Sequence, residues 1–265
     1  MYILAGARDC WQQRAMVSCL AGPSATVVSY VTAAALYGLA KPPKKPAVTV
    51  PRDTNGERFR GMTVHRANLR TSERAVKDRI PCTTPTRTVI DCAEVLSFEA
   101  LCDLVDSALC RKLMRPSKLI TVAEAAYSGA RGARRAGLKR LLEALEIWRS
   151  GAEPGSPPEV KLQRRLKEWG FPEAQRQVEV YGRDGKLLAR ADLGIVEWKV
   201  LLEYDSDEHH GPRCWIADGE RVDRVEEETE WRMVSVDRFD LRPSNTNLRD
   251  RLEKYRPPEA GAVAA

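Results

Sequence analysis

The spacing of apolar residues divides the chain into two segments of different periodicity. In the first segment, apolar positions recur every three to four residues, which is typical of amphipathic helices. This periodicity predicts helices at residues 8–21, 86–96, 97–111, 117–128 and 132–148. Short apolar runs bounded by Pro and Gly predict strands at residues 47–50 and 63–67. Residues 25–39 are apolar on nearly every side, so we expect them to be buried.

A polar stretch rich in Gly and Pro follows, and beyond it the pattern changes to helix–strand–strand–strand–helix–strand. We therefore predict an α/β (α+β) protein with two domains. Its predicted parts are a mostly helical α+β domain at residues 1–148, a linker at 149–155, a domain with a central mixed β-sheet flanked by helices at 156–256, and a flexible tail at 257–265.

The two segments also differ in the balance of basic and acidic residues. Residues 1–150 contain 24 Lys and Arg against 13 Asp and Glu, whereas residues 151–265 contain 19 against 24. A basic half suits a polyanion and an acidic half suits cations, although ordinary solvated surfaces explain the charge equally well. The seven cysteines show no CxxC spacing, and no signal peptide or apolar membrane span is visible. We expect a cytoplasmic protein with reduced thiols and no membrane contact.

Acidic residues gather at the end of a predicted β-hairpin. With a turn near residue 197, Asp192 lies opposite Leu202 and diagonal to Glu203, and Asp205 shares the face of Glu203. Three carboxylates this close raise one another's pKa unless a cation joins them. Hard divalent cations such as Mg²⁺ or Mn²⁺ bind such carboxylates together with phosphate oxygens. The pattern predicts metal-assisted phosphodiester hydrolysis, with Asp192 and Glu203 as metal ligands.

Two further residues are candidates for the same site, and each also has a structural interpretation. His209, just past the hairpin, could act as an acid, a base or a ligand, or be an ordinary loop residue. Glu159 could belong to the catalytic site, or it could cap a helix through the capping-box pattern Ser156-x-x-Glu159.

A run of basic residues marks the last helix of the first segment. We predict that it contacts nucleic-acid phosphates, although a solvated helix face is the competing interpretation. The candidate contacts are Arg131, Arg134, Arg135, Lys139 and Arg140. In the same segment, Arg87 and Asp91 stand four residues apart, which predicts an intrahelical ion pair rather than a site. His65 is interpreted as a structural or surface residue.

The stretch ADLGIVEWKVLLEYDSDEHH resembles the PD-(D/E)XK nuclease superfamily, near the very-short-patch-repair endonucleases. The resemblance covers about residues 156–242 and implies a restriction-endonuclease-like fold. It implies that Asp192 and Glu203 are the motif acids, Glu159 the helix acid, Asp205 the second strand acid and His209 the following histidine. The motif lysine is absent, since Asp205 stands in its place, and Ser206 replaces the usual glycine.

The first segment resembles the AbiEi-type antitoxin proteins of abortive-infection systems. The similar stretches are SYVTAAALYGL at residues 29–39, VTVP at 48–51, VHR at 64–66 and IPCTTPTRTVID at 80–91. The winged helix with which this family often begins is lacking here or retained only as residues 1–7. The resemblance implies a toxin partner.

Together these observations predict a bacterial or phage protein that cuts DNA with the help of Mg²⁺ or Mn²⁺ and works in phage defence or a toxin–antitoxin pair. A homodimer is one expected form. The alternative is a DNA-binding antitoxin or transcriptional repressor whose nuclease fold is no longer catalytic.

Overall fold

The structure, a computed structural model, describes residues 10–53, 61–149, 156–205, 212–242 and 244–258, with the backbone alone for residues 133 and 212–218. The chain divides into two compact units, Met1–Gly151 and Ala152–Ala265. Each unit combines helices with a mixed β-sheet, so the predicted α+β class is confirmed.

The N-terminal unit is built on a five-stranded sheet with helices around it. Its elements in chain order are α1 (Trp11–Ala21), β1 (Val27–Val28), α2 (Tyr30–Leu36), β2 (Ala47–Val50), β3 (Thr63–Arg66), β4 (Arg74–Lys77), β5 (Ile80–Thr83), α3 (Pro85–Val95), α4 (Phe98–Cys110), α5 (Pro116–Ser128) and α6 (Gly132–Leu145). The strand order is β3-β2-β1-β5-β4. The β1–β2 and β4–β5 pairs are antiparallel, whereas β1–β5 and β2–β3 are parallel.

The apolar segment at residues 25–39 is mostly buried, as predicted, but it is not one element. It divides at Ser29, which is extended and precedes the first turn of α2. The hydroxyl groups of Ser29 and Thr32 bind this part of the chain to β2. Thr49 Oγ1 donates to Ser29 Oγ at 2.8 Å, and Ala47 N donates to Thr32 Oγ1 at 2.8 Å. Because buried polar groups need such partners, the hydroxyls fix where the strand ends and the helix begins.

Helix α6 packs closely against the C-terminal end of α3. Gly137 makes this possible, because a Cβ there would stand 2.4 Å from the carbonyl oxygen of Ala93. The same oxygen accepts a hydrogen bond from Arg140 Nη2 at 3.2 Å. Arg140 thus satisfies one of the carbonyl groups that a helix end leaves without an intrahelical partner.

The C-terminal unit is a four-stranded sheet with helices on both faces. Its elements are α7 (Pro157–Glu168), β6 (Gln175–Tyr181), β7 (Leu187–Ile195), β8 (Val200–Tyr204), α8 (Pro212–Glu228), β9 (Arg232–Val236) and α9 (Asn247–Glu253). The strand order is β6-β7-β8-β9, with β6, β7 and β8 antiparallel in turn and β9 parallel to β8. The sequence predicts a charged helix at residues 218–231, and α8 begins six residues before that start.

Two apolar clusters cover the two faces of this sheet. On one face, Leu162 and Leu166 of α7 pack with Leu202 of β8, and α9 contributes to the same cluster. On the other face, Val225 of α8 packs with Leu201. Alternate residues of β8 therefore point to opposite layers, as expected for a β-strand.

Candidate functional site

The β7–β8 hairpin sets the alignment of the acidic residues. A 3₁₀ turn at Val196–Trp198 and a left-handed Lys199 (φ 55°) connect the strands. The strands pair with Leu193 opposite Leu202, which places Asp192 opposite Glu203. The predicted register, with Asp192 opposite Leu202, is wrong by one residue. The reason is that Lys199 belongs to the turn and not to the strand.

Asp192 lies where the pairing of β7 with β8 ends. The last paired residues are Leu193 and Leu202. One step beyond them, the carboxylate oxygen Oδ2 of Asp192 accepts a hydrogen bond from the backbone N–H of Tyr204 at 3.0 Å. Across the described ranges, the second oxygen, Oδ1, has no hydrogen-bond partner.

The sheet is irregular at the same position. Ala189 and Ala191 pack in the cluster that faces α8, whereas Leu193 and Ile195 pack in the opposite cluster. Residues two apart in a regular strand share a face, so β7 turns over at Asp192. Opposite Asp192 stands Gln177 of β6, with a left-handed φ of 52°. Irregularities of this kind re-aim side chains and are enriched beside active sites.

Glu203, across from Asp192, is bound by an arginine of α8. Arg221 Nη2 donates to Glu203 Oε2 at 2.5 Å, and the two side chains are 34% and 27% exposed. The pair is partly accessible to solvent, so an incoming anion or cation can compete for either partner. The sequence pattern did not assign Arg221 to the site, because its interaction with Glu203 spans 18 residues and depends on how α8 crosses the sheet.

The remaining predicted acids occupy separate positions. Glu159 is nearly buried in the first turn of α7, where its Oε1 accepts a hydrogen bond from Ser156 Oγ at 2.8 Å. The Ser156 hydroxyl makes no side-chain cap to the helix, so its half of the predicted capping box is not formed. Asp205 is exposed just after β8, and its backbone N–H donates to Val236 O at 2.8 Å. His209 lies outside the described residues.

No group of three or more His, Cys, Asp or Glu side chains suited to a metal ion occurs among the described residues. The structure does bring Asp192 and Glu203 to facing positions. Mg²⁺ commonly takes one or two carboxylates and completes its coordination with water and phosphate oxygens. The donor set of this pair, carboxylate oxygens, is therefore compatible with Mg²⁺ or Mn²⁺.

The basic residues of α6 fall into two groups. Arg131, Arg135 and Lys139 are exposed; Arg135 stacks on the ring of Tyr127 at 4.4 Å, and Lys139 faces Glu143 at 3.8 Å. Arg134 and Arg140 are half-buried on the side of α3. Arg135 and Lys139 are four residues apart and share one solvent-facing side of the helix, and Arg131 is the N-cap residue that precedes it, so the three form one basic row.

A second polar cluster, which the sequence pattern did not reveal, lies in the N-terminal unit. The ring of Tyr30 stacks on His65 with 3.5 Å between centroids, and its hydroxyl donates to Glu94 at 3.3 Å. Burial lowers the pKa of His65, and the nearby Glu94 raises it in part. Tyr30 itself has a left-handed φ of 50°. These three residues are far apart in sequence, so only the fold joins them.

Asp91, on α3, is wholly buried next to this cluster. Its Oδ1 accepts from Arg87 Nε at 2.8 Å, which is the predicted intrahelical pair, and Arg87 also bonds Glu73 at 2.9 Å. Oδ2 of Asp91 has no hydrogen-bond partner within the described part of the chain. Burial raises the pKa of Asp91 to about 6, because its cost exceeds the attraction of Arg87 and Arg134.

Residues 25–144 match the family model of the AbiEi antitoxin C-terminal domain. The matched span runs from just before β1 into α6, and so contains the Tyr30 cluster and the basic row of α6. The match supports the AbiEi-like half predicted from the sequence and fits a toxin–antitoxin or abortive-infection context. No curated protein matches the chain. No helix in the described ranges is both long and apolar enough to cross a membrane.

Proposed function

We propose that the protein is a metal-dependent DNA endonuclease that works in phage defence or beside a toxin. The observation that carries this proposal is the placement of Asp192 directly across from Glu203, at the point where the β7–β8 ladder ends. Two acidic residues at opposite positions of an interrupted ladder would form a small anionic site whose charge a divalent cation would neutralise.

The order and direction of the elements also favour this proposal. Helix α7 precedes three antiparallel strands, helix α8 crosses over, and β9 returns parallel to β8. This order agrees with the core of the PD-(D/E)XK nucleases that the sequence resembles. In mixed and parallel sheets, ligands commonly bind beyond the carboxyl ends of parallel strands, which is where Glu203 and Tyr204 end β8 and Asp205 follows it.

Asp192 and Glu203 are the residues that would hold Mg²⁺ or Mn²⁺. The Tyr204 N–H fixes the orientation of Asp192 through Oδ2 and leaves Oδ1 to face a ligand. When bound, the cation would polarise the phosphate and lower the pKa of a water molecule. Arg221 would provide a positive charge for the developing charge on the phosphate. Glu159, Asp205 and His209 are proposed to assist.

One observation favours a second candidate, a DNA-binding antitoxin or repressor without catalysis. Arg221 occupies a carboxylate oxygen of Glu203, one of the two proposed ligands, at hydrogen-bond distance. If this ion pair persists in solution, it neutralises the acidic site and stabilises the fold instead of binding a cation. The two candidates share the basic row Arg131, Arg135 and Lys139 as the proposed contact with DNA phosphates, to which Arg134 and Arg140 contribute positive potential.

A cleavage assay separates the two candidates. Supercoiled plasmid is incubated with the full chain and Mg²⁺ or Mn²⁺, alongside Asp192→Asn and Glu203→Gln. We expect both variants to lose cutting by at least about a hundredfold, since each removes a charged ligand. Asp184→Asn is the matched control, because Asp184 is an exposed acid of the same unit in the turn between β6 and β7.

The outcomes are distinct. Cutting by the wild-type chain and by Asp184→Asn, but by neither site variant, supports the nuclease. Plasmid that is bound but left uncut by all four proteins refutes the nuclease proposal and favours the second candidate. Circular dichroism of each variant excludes unfolding as the cause of lost activity. Co-purification with a co-expressed toxin tests the proposed partner, and the mass in solution tests the proposed homodimer.

A further inference from the structure

An exposed phenylalanine lies on a short, ordered turn immediately after β9. Phe239 is 43% exposed, although burial of a phenyl ring is energetically favourable. The turn that carries it, Asp237–Arg242, begins at the residue after Val236, whose carbonyl oxygen accepts the backbone N–H of Asp205. The turn therefore stands at the end of the sheet where β8 finishes and Asp205 follows it.

Internal hydrogen bonds hold the turn in this conformation. The Asp237 carboxylate accepts from the N–H groups of Phe239 at 2.7 Å and of Asp240 at 2.9 Å. The carbonyl oxygen of Phe239 accepts from Asn245 Nδ2 at 2.9 Å and from the Arg242 N–H at 3.1 Å. A ring on a backbone fixed in this way loses little entropy on binding a ligand.

Two arginines flank the ring. The guanidinium carbons of Arg238 and Arg242 lie 4.8 Å and 4.5 Å from the centre of the Phe239 ring. Both arginines are exposed. The acids of the turn serve its structure, since Asp237 binds backbone N–H groups and Asp240 pairs with Arg251 at 3.4 Å. Two guanidinium groups are therefore the charged groups that lie against the ring itself.

A polar cleft of about 460 Å³ opens beside Phe239. This volume lies within the range of about 300–1,000 Å³ for small-molecule sites. Asn245 and Asn247 line the cleft together with Asp250 and Lys254. An amide group can donate to and accept from the edge of a nucleobase, and a carboxylate can accept from it.

We propose that the Asp237–Arg242 turn and its cleft bind one unpaired nucleotide of a DNA strand. The base stacks on Phe239, its edge meets Asn247 of the cleft, and Arg238 and Arg242 turn from the ring to the neighbouring phosphates. A base within a duplex already has its two faces stacked, so the ring selects a single-stranded, flipped or terminal nucleotide. The inference rests on the proposed function for its ligand class, DNA, and places that strand at the end of the sheet where β8 and β9 finish.

Binding is measured without divalent cations, so that it does not depend on cleavage. A fluorescein-labelled oligo(dT) of about 12 nucleotides is titrated with the full chain in EDTA, and a duplex of the same length serves for comparison. We expect Phe239→Ala to weaken binding of the single strand by about 5- to 100-fold, the effect of losing one base–aromatic stack. Phe239→Trp should retain binding, and its indole fluorescence should be quenched by the stacked base.

Phe98→Ala is the matched control. Phe98 is an equally accessible phenylalanine at 38% exposure, on α4 of the other unit. It should leave binding unchanged. Arg238→Ala and Arg242→Ala should each lower the dependence of log Kd on log salt by about 0.7, the value for one phosphate contact on a single strand.

Two results overturn the inference: Phe239→Ala binds the single strand as tightly as the wild type, or Phe98→Ala weakens binding as much as Phe239→Ala does. Either result leaves the nuclease proposal standing if plasmid cutting still depends on Asp192. Conversely, binding that depends on Phe239, with no cutting under any metal, keeps the inference and rejects the nuclease.

Discussion

Replacing Gly137 by alanine tests the close packing of α6 on α3. A Cβ at this position would stand 2.4 Å from Ala93 O, 2.8 Å from Ala93 C and 3.0 Å from Glu94 Cα. All three obstacles are backbone atoms, so no change of side-chain rotamer relieves the overlap. The helices must separate by roughly 1 Å at this point to reach ordinary contact distance, and overpacking of this kind costs about 1–3 kcal/mol.

Two further effects act on the same variant in opposite directions. Alanine improves the intrinsic stability of a helix interior by up to about 1 kcal/mol relative to glycine. Separation of the helices lengthens the Arg140–Ala93 hydrogen bond, which is 3.2 Å long and contributes about 1 kcal/mol. These two effects nearly cancel. We therefore expect Gly137→Ala to lower the free energy of unfolding by about 1–3 kcal/mol.

Urea denaturation followed by circular dichroism measures the effect, with Gly129→Ala as the matched control. Gly129 ends α5 in the same unit at φ −94°, and a Cβ there meets nothing within 4 Å. The control should be neutral or up to about 1 kcal/mol more stable, because alanine restricts the unfolded chain. A Gly137→Ala protein as stable as the wild type would refute the proposed backbone overlap.

Four other substitutions test separate parts of the structure. Because burial raises the folded-state pKa of Asp91 to about 6, above an unfolded value of about 3.9, the protonated acid favours the fold. This stabilisation of the wild type is complete below about pH 4 and is lost as the pH rises through about 6. The free energy of unfolding of Asp91→Asn, relative to that of the wild type, should therefore rise by up to about 3 kcal/mol between pH 4 and 7. Urea denaturation midpoints at each pH measure this change. Trp148→Phe removes the donor to buried Asp106 (2.9 Å) and should cost about 1–3 kcal/mol by the same assay; an unchanged midpoint would show that this bond is dispensable. Arg135→Ala should weaken DNA binding and reduce its salt dependence without lowering the melting temperature. Arg140→Ala should lower the melting temperature. The reverse pattern would contradict the assignment of Arg135 to DNA contact and of Arg140 to helix packing.

The periodic helices and the C-terminal strands were predictable because their apolar positions repeat over many residues. The ends of α3, α4 and α5 lie within about two residues of prediction. Strand β4 was missed because two of its four residues, RAVK, are charged and the strand lies at the edge of its sheet. The division of residues 25–39 was missed because a segment that is apolar all round has no period to separate strand from helix.

The functional residues were predictable only where they are close in sequence. Asp192 and Glu203 are near each other because one hairpin joins them, and the pair Arg87–Asp91 is joined by one helical turn. The stack of Tyr30 on His65 spans 35 residues and depends on how α2 lies over β2 and β3. Such a contact leaves no local signal in a single sequence.

The observed register of the β7–β8 hairpin differs from the predicted one by one residue, and the conformation of a single turn residue, Lys199, accounts for the difference. A slip of one residue in a hairpin moves every side chain to a new cross-strand neighbour. With Lys199 in the strand, Asp192 would oppose Leu202, an apolar residue of the cluster beneath α7. With Lys199 left-handed in the turn, Leu202 pairs with Leu193 and the apolar residues meet each other. The acids are then left to face each other one step further, where the ladder ends and Arg221 is within reach. The packing of the core thus selects the register, and the acidic pair follows from it.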